Sequence, residues 1–257
     1  MEVQALVHTP EGSHLLCGLR KGEYRDPGGI NPGSSIFIRP LMPVPPWLVI
    51  SFAITTGTPA EKSPQEALLE AVALGNSAAV KALLEVHEDM LKTPAPGEKS
   101  PLHRAVMINE QEIAQLLLEH GASPGEPDST GATPLHMAVF DHNPAMVELL
   151  LVHGANIEAQ DRCGATALIL AAREGHVDTA RVLLKHMAAV QALDREVQAT
   201  PLHWAVLGGH REMVKFLVSQ GAEVNGKDGS GRRPLQLALD MNNKEMRALL
   251  KKYGARK

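Results

Sequence analysis

The sequence predicts an all-α fold of the solenoid type, a stack of helix-turn-helix units joined by β-turn or hairpin loops. The hexapeptide SPLHRA at Ser100 returns as TPLHMA at Thr133, TPLHWA at Thr200 and RPLQLA at Arg233, with TALILA at Thr166 filling the gap. The second residues of these copies, Pro101, Pro134, Ala167, Pro201 and Pro234, are spaced by 33, 33, 34 and 33 residues. A fixed period of this length marks an array of small units rather than one globular core. Finally, neither helix of a unit reaches the roughly 12–15 residues that an isolated helix needs in water. Their apolar faces must be buried against neighbouring units.

Each unit follows one local grammar. Thr133 supplies a capping oxygen and Pro134 takes the first helical position, where its missing N–H costs nothing. The first helix runs to about Asp141. His142, Asn143 and Pro144 then turn the chain and restart it, Asn143 serving as the next cap. The second helix sets Met146, Val147, Leu149, Leu150 and Leu151 on an apolar face and closes at His153-Gly154. That glycine recurs as Gly121, Gly154, Gly221 and Gly254, which fits the left-handed position just past a helix end. A weaker unit precedes these five. It starts with Ser63-Pro64-Gln65-Glu66, a capping box with proline at its first helical position, and continues through Leu68, Val72, Gly75, Val80 and Leu84.

The TPLHxA opening, the Gly-His mid-turn and the leucine-rich second helix resemble ankyrin repeats, over about Ser63 to Lys257. The expected organisation is an irregular, largely disordered extension over 1–62 and an ankyrin repeat domain over 63–257. The resemblance implies a non-catalytic protein–protein interaction module, an adaptor or regulator that binds a protein partner through its concave face. In this family the ends of the first helices and the loop tips line that face. Carried onto this sequence, the helix positions are Ala73 and Leu74, Met107 and Ile108, Phe140 and Asp141, Arg173 and Glu174, Leu207 and Gly208, and Asp240 and Met241. The loop positions are Ser129, Thr130, Arg162 and Arg195, which would supply polar specificity. Phe140 is the expected anchor, since aromatic residues dominate binding hot spots.

The same resemblance assigns His103, His136 and His203 to hydrogen bonds that tie helix to loop. It also makes Asn225 a candidate for hydroxylation, because Leu217, Glu223, Val224 and Asn225 resemble the pattern recognised by asparaginyl hydroxylase.

Three departures from the pattern carry expectations of their own. The fourth unit has Ala167 and Ile169 where the family has Pro and His, and it closes with His186-Met187 in place of a glycine. A left-handed residue other than glycine costs about 1 kcal/mol or more, and the following loop holds one residue too many. The chain from Met187 to Thr200 is therefore expected to be irregular or mobile. Trp204 replaces a common leucine and is expected to lie mainly in the core. The last unit carries Arg247 and Lys251 at positions that are apolar elsewhere, the polar outer face that a terminal unit needs.

Composition narrows the function classes. Hydrophobic residues make up 44% of the chain but aromatic ones only 3%, consistent with close packing of helices through small side chains. The net charge of −4 provides no general attraction to nucleic acid. The two cysteines, Cys17 and Cys163, are too far apart and too few for a disulfide framework, which favours a reducing compartment. The expectation is a monomer in the cytoplasm, with the nucleus also open to it.

No cofactor, metal or small-molecule substrate is expected. Packed helices lie about 8–10 Å apart whereas zinc ligands sit about 2 Å from one ion, so His103, His136 and His203 cannot share a metal. His14 and Cys17 have a ligand spacing without a second pair. Gly221 to Lys227 reads GAEVNGK, one residue short of a phosphate loop. It follows a helix rather than a strand, and Asp228 stands where Ser or Thr would ligate magnesium.

Residues 1–62 obey other rules and are rich in Gly and Pro. The apolar run from Trp47 to Ile54 spans eight residues, far short of the roughly 20 needed to cross a bilayer. It is expected to pack on the exposed face of the first repeat. The competing class is a membrane-targeted or enzymatic protein whose activity lies in this extension, although segments this short usually need disulfides or metals to hold a core.

Overall fold

The computed structural model describes three strands, over residues 3–9, 12–19 and 36–38, together with residues 63–86, 91 and 99–256. The chain divides into two units, residues 1–61 and 62–257.

The first unit contains an antiparallel sheet of β1 (Val3–Thr9), β2 (Gly12–Leu19) and β3 (Ile36–Ile38) in the order β2-β1-β3. β1 pairs with β2 from Val3 opposite Leu19 to Thr9 opposite Gly12, with a register shift between Val3 and Ala5. It pairs with β3 through Ala5 opposite Ile38. This segment was expected to be irregular. Its Gly and Pro content obscures the strand-forming residues of these three short runs. The expected placement of Trp47 to Ile54 on the first repeat, and the side chains of His14 and Cys17, lie outside the described residues.

The second unit is all-α among its described residues, with twelve helices in six pairs. The pairs are α1 (Pro64–Ala73) with α2 (Ser77–Val86), α3 (Pro101–Met107) with α4 (Gln111–Glu119), and α5 (Pro134–Phe140) with α6 (Pro144–Val152). They continue as α7 (Ala167–Glu174) with α8 (Val177–Lys185), α9 (Pro201–Leu207) with α10 (Arg211–Ser219), and α11 (Pro234–Asp240) with α12 (Lys244–Lys252). The odd-numbered helices pack in succession as one layer. The even-numbered ones form a second, with α2 on α4, α6 on α8 and α8 on α10.

The core repeats with the sequence. Leu102, Leu135, Leu168, Leu202 and Leu235 are buried between odd-numbered helices, and Ala105, Ala138, Ala171, Ala205 and Ala238 let those helices approach. Each buried leucine contributes roughly 1.5–3 kcal/mol relative to an exposed one. Gly121, Gly154, Gly221 and Gly254 all take φ between 81° and 90°, the left-handed stop that ends the second helix.

Polar ties then fix the spacing between units. The Ser63 hydroxyl and Glu66 carboxylate close the first capping box. In three later units a histidine takes over the role of that glutamate. The backbone N–H groups of Ser100, Thr133 and Thr200 donate to Nδ1 of His103, His136 and His203, each at 3.2 Å. A backbone N–H can only donate, so Nδ1 accepts and the neutral ring carries its proton on Nε2. That proton reaches the carbonyls of Ala132, Ala165 and Arg232 at 3.2, 3.1 and 3.2 Å, each 29 residues further along and directly before the next unit. Burial lowers all three imidazole pKa values, against the raising effect of those carbonyls and of Asp128, Asp161 and Asp228 nearby.

The fourth unit departs as its sequence does. Thr166 still caps Ile169 N at 3.4 Å, but Ile169 has no ring with which to reach Ala199. Met187 takes φ +68° without glycine and is 85% exposed. The loop beyond it is irregular yet firmly tied. The Asp194 carboxylate accepts from Val197 N at 2.7 Å, Ala199 N at 2.9 Å and the Trp204 indole at 3.1 Å. Trp204 is therefore half-buried, holding the loop with its indole edge while its ring packs on the core.

Candidate functional site

Because the odd-numbered helices stack in register, their C-terminal ends form a row along one face. A helix end exposes whichever side chains follow its last buried turn. In the first three units these are apolar: Leu74 is 67% exposed, Met107 and Ile108 are exposed, and Phe140 is 61% exposed. Ala73 and Asp141 also face solvent. Large apolar side chains recur exposed at equivalent points of consecutive units, and such recurrence marks an interaction surface more strongly than singly scattered ones do.

The row changes character at its centre. Arg173 Nε meets Glu174 Oε1 at 3.0 Å, a half-buried pair that neutralises itself. Leu207 is half-buried and Gly208 is exposed. Asp240 accepts from Gln236 Nε2 at 2.8 Å, and Met241 returns the row to exposed apolar character. The surface is thus apolar over units one to three and mixed beyond them.

Histidines of the mid-turns hold this row in place. His176 bonds through Nδ1 to the Val139 carbonyl at 3.0 Å, and its ring stacks on His142 with centroids 4.2 Å apart. His210 bonds through Nε2 to the Arg173 carbonyl at 2.8 Å. Each engages a carbonyl at the end of the preceding unit's first helix. Sequence reasoning noted the Gly-His pair without assigning it this job, although a histidine recurring 34 residues apart beside a helix terminus is a usable signal.

The loop positions are less free than the sequence suggests. Thr130 donates through N and Oγ1 to Asp128 Oδ1 at 2.8 and 2.6 Å. Arg162 bridges to the Ser129 carbonyl with Nη2 at 2.7 Å and to the Thr130 carbonyl with N at 3.2 Å. Arg195 reaches Gln160 Oε1 at 3.3 Å. These residues link each hairpin to its neighbour while their outer surfaces stay exposed. The organisers are aspartates that the sequence reading passed over. Burial disfavours the ionised form of Asp128 and Asp228, but hydrogen bonds from Thr130 and Ala132 to one, and from Arg232 and Ser230 to the other, outweigh it and lower both pKa values.

Asn225 sits at the fifth loop. Its Oδ1 accepts from Arg256 N at 2.7 Å and its Nδ2 donates to the Gly254 carbonyl at 3.2 Å, tying that loop to the tail. Cys163 is exposed at a hairpin tip, where the charges of Glu196 and Asp161 raise its thiol pKa and make it a poor nucleophile. Among the described residues no group of three or more His, Cys, Asp or Glu side chains is placed to hold a metal ion. No helix among them is long and apolar enough to cross a membrane.

Stacked two-helix units with an exposed row of inner helix ends define the class of repeat interaction modules. The chain belongs to the ankyrin repeat family: the family model for ankyrin repeats in three copies matches residues 52–128, 68–161, 135–228 and 190–257. The crystal structure of the ankyrin repeat domain of Bcl-3, a member of the IkappaB family, superimposes with a TM-score of 0.70 at 30% identity, covering 74% of this chain and 86% of that one. Local similarity extends to the Danio rerio protein named as palmitoyltransferase ZDHHC13, 41% identical over 59 residues, 23% of this chain and 9% of that protein. It also extends to alpha-latrocrustotoxin-Lt1a of Latrodectus tredecimguttatus, 36% identical over 56 residues, 22% of this chain and 4% of the toxin. The chain thus matches less than a tenth of the length of these two relatives. Ankyrin repeats are a protein–protein interaction module, and this chain carries one.

Proposed function

We propose that this chain is a non-catalytic adaptor or regulator that binds a protein partner along the row of inner helix ends. The exposed apolar run Leu74, Met107, Ile108 and Phe140 on three consecutive units carries this reading. Phe140 is the anchor. Asp141, Arg173, Glu174, Leu207, Asp240 and Met241 complete the surface, with Ser129, Thr130, Arg162 and Arg195 reading polar groups from the hairpin side. The chain works as a monomer in the cytoplasm or nucleus and recognises protein rather than nucleic acid. Asn225 is the position open to hydroxylation, and the modifying enzyme would have to draw its amide away from Gly254 and Arg256.

Parallel affinity capture with the wild type and Phe140→Ala tests the groove. A hot-spot aromatic contributes about 2 kcal/mol or more, so the specific partner should bind the variant more than about tenfold more weakly, with an unchanged circular dichroism spectrum. A partner that binds both forms equally would reject the groove.

A further inference from the structure

The outer face of the last unit keeps the shape of a stacking surface but has exchanged its chemistry. Ala114, Val147, Ala180 and Val214 are fully buried, and the equivalent residue in α12 is Arg247. Val106, Val139, Ala172 and Val206 are likewise buried, whereas the equivalent Leu239 is only half-buried. Leu235, Leu239 and Ala248 floor a depression of about 240 Å3, rimmed by Lys244, Arg247 and Lys251. The three cations lie at i, i+3 and i+7, on one side of α12. Among the described residues none of them forms an ion pair, while Glu245, the carboxylate on the same helix, is engaged by Arg211.

We infer that this face docks an acidic amphipathic helix of a partner protein, laid against α11 and α12 as a further unit would be. Charge complementarity sets the class of occupant. An ordinary repeat would bring apolar side chains against Arg247 and Lys251 and bury both charges unpaired. A helix with apolar residues in the centre and carboxylates at its margins covers Leu239 and Ala248 and pairs with the cationic rim. A bare polyanion would satisfy the rim and leave the apolar floor in water. The surface lies on α11 and α12, apart from Phe140 on α5.

Titration of the full chain with a labelled synthetic peptide, one helical face leucine and both margins glutamate, tests this by fluorescence anisotropy. Saturable binding is expected. Arg247→Glu with Lys251→Glu should weaken it at least about tenfold, as removal of opposed charges at an interface does. Phe140→Ala should leave it unchanged. Replacing every peptide glutamate with glutamine, or using polyglutamate of equal charge without leucines, should also weaken binding at least about tenfold. The inference is overturned if the glutamate–leucine peptide does not bind, or if the charge-reversed chain, the glutamine peptide or polyglutamate gives equal affinity. Loss of binding in Phe140→Ala alone would move the peptide to the concave row and equally overturn it. Both variants alter exposed or half-buried side chains, and thermal unfolding of each confirms that it folds.

Discussion

The junction of α5 with α7 spans a 33-residue step and the junction of α7 with α9 a 34-residue one, and different forces hold them. At the first, His136 is buried, takes the Thr133 N–H on one nitrogen and gives the other to the Ala165 carbonyl. At the second, Ile169 occupies the histidine position and makes no such tie to the Ala199 carbonyl, so the His210 bond to the Arg173 carbonyl and close approach hold the contact. A β-carbon at Gly208 would fall 2.7 Å from the Arg173 carbonyl, and one at Gly164 would fall 2.2 Å from Arg195 Cβ. Every side chain of α7 from Ala167 to Ala172 is buried. One repeat can therefore replace a polar tie with apolar packing without changing the stack, at the cost of an irregular loop that Asp194 and Trp204 must hold. The two solutions differ in their response to acid and to added volume.

Acid should produce the largest difference. His103, His136 and His203 have pKa values lowered by burial in the folded state, whereas the unfolded chain takes up protons near pH ~6.5. Above that pH the rings are neutral in both states and stability is complete. As pH falls below it toward the folded values, the unfolded state binds protons first and stability is lost. The slope is at most about 1.4 kcal/mol per pH unit for each histidine, or about 4 for three. Urea unfolding between pH 7.5 and 5.5 measures it, and hydrogen exchange should show the α7–α9 junction as the least affected.

Added volume should reverse that ranking. Gly208→Met is expected to cost about 3 kcal/mol through overpacking against the His210 ring and the Arg173 carbonyl, although Met241 and Ile108 are accommodated at the equivalent position elsewhere. A cost below about 1 kcal/mol in urea would show that α9 does not depend on the close approach.

His136→Leu should cost about 2 kcal/mol at pH 7.5, because it leaves the Thr133 N–H and the Ala165 carbonyl without the ring. It should also remove up to one third of the pH slope. Ile169→His sharpens the same point in the other direction: nearly neutral at pH 7.5, it should add a fourth acid-sensitive group if its ring reaches Ala199. An unchanged slope in both variants would show that the rings do not sense protons.

The smallest effect concerns a second oddity of the fourth unit. Thr179 is fully buried and its hydroxyl has no hydrogen-bond partner among the described residues, at a position held by Ile113, Met146, Met213 and Met246 in other units. Thr179→Val should stabilise the protein by about 1 kcal/mol, read as a higher urea midpoint with the same slope on denaturant.

The helices of the repeat unit were legible because each is specified locally. Thr133-Pro134, Asn143-Pro144 and Gly154 each set the backbone of one turn, and their recurrence makes a weak signal strong. The positions of the candidate row were legible for the same reason, since equivalent residues of a repeat share an environment. The sheet in residues 3–38 was missed because short strands announce themselves only through partners distant in sequence. The internal bonds of Arg162 and Arg195 were not legible, because nothing in a sequence says that a guanidinium will be used by a carbonyl 33 residues away or a glutamine 35 away.

The amino-acid sequence by itself determined the period, the helix starts and stops, the exposed apolar character of Met107, Ile108 and Phe140, and the basic terminal face. These follow from local propensity and from which side chains one repeat shares with the next. Only the tertiary structure decided which residues hold one unit to another: His176 and His210 on helix-end carbonyls, Asp194 on Trp204, and Gly208 against Arg173. The physical reason is that hydrogen bonds and close contacts are properties of distances between chain segments. A sequence of near-identical units leaves those distances open until the units stack.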